Sequence, residues 1–146
     1  MFGRANFLPK HQNKKDLLWK DIDDFVNFYF LNQKISKSYE FELYNPRWFN
    51  STKAWQISCA KKIDLVVNRN DEIYIFETDP QILDETIGQL LTYRFWYEKQ
   101  EQKKVKKMIA LCGEIQEQTA EVALLYGIEV WKTNFPSGYT QYVSMY

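Results

Sequence analysis

The sequence predicts an α/β domain whose mixed central sheet is flanked by helices, and three observations carry that expectation. Segments with helical periodicity alternate with short β-rich runs in the order α-β-β-β-α-β-α-β. Three strands precede the second helix with no helix between them, which suits an antiparallel meander. The later strands are separated by helices, which suits parallel or mixed pairing. The chain has 146 residues, 45% hydrophobic and 17% aromatic, which fits a single domain over 1–146. A chain of this length buries roughly two-thirds of its unfolded surface and folds without needing metals or disulfides.

Residues 1–14 are polar, contain Pro9 and form a loose lead-in. Asp16 is placed to cap a helix over 16–32, in which Leu18, Ile22, Phe25, Val26 and Tyr29 fall on one apolar face. The alternating run 39–44 is a strand that Asn45-Pro46 ends, and 47–60 reads as a loop with a short strand. Runs 63–67 and 72–78 are β-rich and joined by Asn68-Arg69-Asn70-Asp71, a hairpin signal. A helix over 82–102 follows, with Pro80 ahead of it and Asp84 and Glu85 in the first turn, where the helix dipole favours acids. Then come a strand over 104–111, a helix over 114–125 ended by Gly127, and a strand over 128–131. The tail 133–146, with Pro136, Gly138 and Tyr139, is either an edge hairpin or a surface segment.

Composition excludes several classes. Lysine plus arginine and aspartate plus glutamate each number 19, so net charge neither favours nor disfavours nucleic acid. Cys59 and Cys112 have no metal-ligand spacing, and Cys112 lies in an apolar strand as a small core residue. No apolar run approaches the ~18 residues of a membrane span, and no leader-like apolar segment opens the chain. A soluble, cytoplasmic protein is expected.

The chemistry concentrates where two strands meet. Side chains alternate along a strand, so Ile73, Ile75, Glu77 and Asp79 share one face, with two carboxylates at the strand's end. Hairpin pairing brings Asp64 opposite that end. Carboxylates so close repel unless a cation or proton neutralises them, and a hard divalent ion takes such oxygen ligands. On spacing alone, a strand running out into a solvated loop is the better account of Glu77, Thr78 and Asp79.

A family resemblance tips that balance. Asp64, then Glu77-Thr78-Asp79 on the following strand, resembles the acid–gap–(D/E)-x-K motif of restriction-endonuclease-like nucleases. Asp79 stands where that family usually has lysine, and Ile63 stands where a proline often precedes the first acid. Gln89 and Tyr93, one helical turn apart, resemble the Q-x-x-x-Y element of the RecB-like branch. The resemblance covers about residues 60–131 and implies a restriction-endonuclease-like core. It implies a nuclease hydrolysing phosphodiesters with one or two Mg²⁺ or Mn²⁺ ions held by Asp64, Glu77 and Asp79. Gln89, Tyr93 and Arg94 would contact substrate, and the partner would be nucleic acid, DNA first; separately, the chain's size and aromatic-rich surface leave a homodimer open.

Asp79 also admits the other outcome that the family implies, an inactive fold that binds nucleic acid or protein. Lys61, Lys62 or Lys99 could stand in for the lysine. An acid from the first helix or strand completes the site in some members, and Glu40, Glu42, Asp21, Asp23 and Asp24 are the candidates. Elsewhere, Lys99, Lys103, Lys104, Lys106 and Lys107 form a basic cluster, read equally as phosphate contacts or as helix-end complements. Trp48, Phe49 and Trp55, with Arg47 and Lys53 among them, suit a core or dimer interface better than a base-stacking surface. His11 receives no role.

Overall fold

The computed structural model describes residues 4–5, 16–44, 61–134 and 136–146, with backbone alone at 4–5 and 16–20. Most of the lead-in, His11, the stretch 47–60 with its aromatic and basic residues, and Cys59 lie outside the described residues. The elements in order are β1 (Arg4–Ala5), α1 (Asp16–Tyr29), β2 (Ser36–Leu43), β3 (Lys61–Arg69), β4 (Glu72–Gln81), α2 (Asp84–Glu101), β5 (Val105–Glu114), α3 (Glu117–Leu125), β6 (Ile128–Thr133) and β7 (Tyr139–Gln141).

The seven described strands form one sheet whose spatial order follows the sequence. Pairing is antiparallel from β1 through β4, parallel from β4 through β6, and antiparallel again between β6 and β7. This is the meander followed by helix-linked parallel strands that the element order predicts. The β3–β4 hairpin closes on Asn70 and Asp71, at φ 53° and 66°. Both occupy the left-handed region that a two-residue hairpin turn requires and that these residue types tolerate best. The Asp71 N–H donates to Asn68 Oδ1 at 2.9 Å, tying the turn to its strand.

Two cores flank the sheet. On one face α1 lays Ile22, Phe25, Val26 and Phe30 over Tyr39, Leu65, Val67, Tyr74, Phe76, Ile109 and Leu111. Phe25, fully buried, meets the rings of Phe76, Trp131 and Tyr139 at 6.1, 5.4 and 5.0 Å. Such pairs add about 0.5–1.5 kcal/mol each beyond the area they bury. On the other face α2 and α3 bring Ile87, Leu90, Tyr93, Tyr97, Ala120 and Ala123 onto Ile73, Ile75, Met108, Ala110, Cys112, Ile128 and Val130. β5 is covered on both sides, so Met108 to Cys112 is a continuous apolar run rather than an alternating one.

The regular alternation breaks beside Asp64. Tyr39 and Leu65 lie in the core under α1, yet Phe41 and Ile63, two residues along each strand, lie in the core under α2. Between them Glu40 has φ 50° and drops out of the β2–β3 register. A non-glycine residue in that region costs of order 1–3 kcal/mol, and here it separates Tyr39 and Phe41, which lie in opposite cores. No helix among the described residues is long and apolar enough to cross a membrane.

Candidate active site

Asp64, Glu77 and Asp79 lie near the point where β3 and β4 part. The antiparallel ladder ends at Leu65 opposite Phe76. One residue further, the side chain of Asp64 takes over as acceptor: its Oδ2 receives the Thr78 backbone N–H at 2.9 Å and the Thr78 hydroxyl at 3.3 Å. Asp64 is 9% exposed and Glu77, beside Thr78 on β4, only 3%. Glu77 and Asp79 continue the row of Ile73 and Ile75 on the α2 face, as strand alternation requires.

Asp79 is anchored to the helix that follows. Its Oδ2 accepts a hydrogen bond from the Thr86 hydroxyl at 3.0 Å, and that hydroxyl accepts the Leu83 N–H at 3.1 Å. The Thr86 N–H in turn donates to the Leu83 carbonyl at 2.9 Å, so one threonine both starts α2 and holds an acid of the site. The β4 backbone reaches Asp79 along a close pairing with β5. A Cβ on Gly113 would lie 2.7 Å from the Pro80 carbonyl oxygen, so only glycine admits that approach.

Tyr93 descends from α2 onto this group. It is 8% exposed, and burial first, then the charges of Glu77, Asp64 and Asp79, push its phenol well above the ordinary range. Cys112, beside Asp79 in the β4–β5 register, is pushed up to about 12 by burial and by Asp79 and Glu77. Both groups therefore remain protonated at neutral pH, and Tyr93 stays a hydrogen-bond donor over the acids.

The other sequence-derived candidates lie apart. Gln89 is exposed and Arg94 half-buried. Four residues advance a helix by about 400°, so Gln89 stands some 40° from Tyr93, at the rim of the helix face. Asp21, Asp23 and Asp24 sit on α1, which packs against the opposite face. Asp21 is held by Tyr139 at 2.7 Å and by the Thr133 hydroxyl, and Asp23 by Lys37 at 2.7 Å and Tyr39 at 2.6 Å. They brace the scaffold. Glu42 accepts from the Tyr44 hydroxyl, and Lys61 and Lys62 are exposed. Thr78 and Thr86 were not singled out by the sequence. Their one legible signal is a hydroxyl beside each acid-bearing turn, the second at the third position of a helix.

The donor set suits a hard divalent ion in kind: carboxylate oxygens steadied by amide and hydroxyl donors. As they stand, no three His, Cys, Asp or Glu side chains among the described residues are gathered into a group that could hold a metal ion. Cation binding therefore requires the acids to draw together.

No protein-family model and no curated protein matches the sequence. Among solved structures, a repair endonuclease from Pyrococcus abyssi shares the fold, with a TM-score of 0.53 and 13% identity over 89% of this chain and 51% of that one. A protein of unknown function aligns at a TM-score of 0.48 and 14% identity, over 73% of this chain and 53% of that one. The chain thus spans about half the length of the structures it matches.

Proposed function

We propose that this domain is a metal-dependent nuclease that hydrolyses phosphodiester bonds of DNA at Asp64, Glu77 and Asp79. The supporting observation is that Tyr93, buried on α2, feels the charges of those three acids, on a fold shared with a repair endonuclease. Mg²⁺ or Mn²⁺, as one or two ions, would be held by the three carboxylates. It would supply Lewis-acid stabilisation of phosphate charge and a nucleophile from water.

The chain's own residues do the rest. Thr78 and Thr86 fix one oxygen each of Asp64 and Asp79, so these acids keep their direction as substrate approaches. Tyr93, held protonated, orients a carboxylate or a phosphate oxygen. Gln89 and Arg94, at the more open side of α2, would contact the sugar-phosphate backbone, which positions a strand without reading its bases.

The test is cleavage of single- and double-stranded DNA with Mg²⁺ or Mn²⁺ by wild type, Asp64→Asn and Glu77→Gln. The amide of Asp64→Asn still accepts from Thr78, so the hairpin end survives while the charge is removed. Both variants should be slower by on the order of 10²–10³-fold. Absence of cleavage by wild type, or equal rates in the variants, ends the catalytic reading.

Asp79 favours a second reading, a silent module that binds nucleic acid or a protein, as a monomer or homodimer. An acid in the usual lysine position reverses the charge offered to a phosphate. Cleavage gained by Asp79→Lys in an otherwise inactive protein would establish this reading, and light scattering would give the oligomeric state.

A further inference from the structure

The five lysines near the end of α2 separate into two groups. Lys106 pairs with Glu72, and Lys107 pairs with Glu129 at 2.6 Å, so the two tie β5 to its neighbours β4 and β6. Lys104 reaches Glu98 only at 3.9 Å, with its side chain 93% exposed. Among the described residues no carboxylate pairs with Lys99 or Lys103. These three remaining lysines, with Phe95, Glu98 and Gln102, line an open groove of about 460 Å³.

Local geometry builds this groove. Gln102 ends α2 in the left-handed conformation, φ 56° and ψ 39°, with its N–H on the Glu98 carbonyl. Its side chain donates to the Lys99 carbonyl at 2.8 Å. The chain turns back there, placing Lys103 and Lys104 beside the last helical turn. Phe95 presents half of its surface to solvent, and Lys99 Nζ lies 5.6 Å from the ring centroid.

We infer that this groove is a binding surface for single-stranded nucleic acid, with an unpaired base stacked on Phe95 and its flanking phosphates on Lys99, Lys103 and Lys104. An exposed ring with one ammonium beside it and two more lining the same groove matches a base between two phosphates. A duplex hides the faces of its bases from such a ring. One ring is also too little apolar surface to enter a bilayer, which takes a whole helix face. Lys99 lies six residues, about 9 Å of helix rise, beyond Tyr93. The inference rests on the nuclease reading only in making the strand held here the substrate.

The experiment measures fluorescence anisotropy of a labelled oligonucleotide in EDTA, so that binding is read without cleavage. Wild type should bind a single strand more tightly than the matching duplex, with an affinity that falls as salt rises. The triple variant Lys99→Gln/Lys103→Gln/Lys104→Gln should flatten the log–log salt slope by about 2, at ~0.7 per phosphate contact. Phe95→Ala should weaken single-strand binding roughly fivefold or more, with duplex binding unchanged. All these positions are solvent-facing, and circular dichroism checks that the variants fold. An unchanged salt slope in the triple variant overturns the inference, as does equal loss of duplex binding in Phe95→Ala. So does binding by wild type to phosphatidylserine vesicles with none to the oligonucleotide. Groove binding with no Mg²⁺-dependent cleavage would sink the nuclease reading alone. Cleavage that the groove variants leave intact, without groove binding, would sink this inference alone.

Discussion

Replacing Thr86 by valine probes the link between the start of α2 and the acidic site. Valine matches threonine in shape, so no cavity opens, yet two hydrogen bonds vanish from a residue that is 1% exposed. The bond from the Leu83 N–H, at 3.1 Å, is worth about 1 kcal/mol. The bond to the Asp79 carboxylate, at 3.0 Å, is worth about 1.5–3 kcal/mol as one to a charged group. Asp79 is half-buried, so water recovers part of the second, and the expected loss is about 2–3 kcal/mol. For a domain of this length that lowers the thermal midpoint by about 4–12 °C. Thr86→Ser keeps both bonds and gives up one methyl group, about 1 kcal/mol. Urea denaturation of wild type and both variants gives the stabilities, and cleavage rates should follow the same order. A valine variant as stable as wild type would show that neither bond contributes, and the account of Thr86 would fail.

Three further outcomes follow from the geometry. Gly113→Ala should cost about 1–3 kcal/mol in thermal denaturation, because its Cβ would press on the Pro80 carbonyl at 2.7 Å and part β4 from β5; a neutral effect would contradict that close approach. Mg²⁺ at about 100 times its Kd should stabilise wild type by about 2.7 kcal/mol and Glu77→Gln far less, since the variant loses one of the charges that would hold the ion; a thermal scan in which both respond alike contradicts the site. Asp23 is opposed by burial, but its bonds to Lys37 and Tyr39 win and hold its carboxyl below the ordinary 3.8. A depressed pKa stabilises the fold above the unfolded value and ceases to do so as pH falls through the folded one. The stability gap between wild type and Asp23→Asn should therefore be full at neutral pH and shrink below pH ~4; a gap independent of pH would refute it.

Local chemistry made the fold readable where it acts over a few residues. Asn70 and Asp71 carry the one turn that their positive φ values permit, so the hairpin and its face alternation follow directly. Boundaries misled where neighbours decide. β4 runs through Pro80 to Gln81, beyond the expected end at Thr78, because the β3 ladder has already stopped at Phe76 and a proline is tolerated where one neighbour is missing. β5 likewise continues to Glu114, and α3 starts only at Glu117, since residues 112–114 are held against β4. The acids were legible through strand alternation, but their supports were not: Thr78 lies 14 residues from Asp64, and Thr86 lies 7 from Asp79. Threonine is too ordinary a residue to announce such contacts. The acids of α1 went astray because its apolar stripe seats it on the opposite face, where Asp21 and Asp23 hold tyrosines instead.

Asp64 has a consequence of its own for how such a domain can change over time. Its carboxylate acts as a prosthetic rung, standing in for a missing main-chain carbonyl where the hairpin frays. Removing it would leave the Thr78 amide stranded indoors, a loss felt by the fold whether or not any bond is ever cut there. A descendant under no demand for chemistry at this site would thus still be held to this aspartate, or to an asparagine in its place, while the other acids drifted.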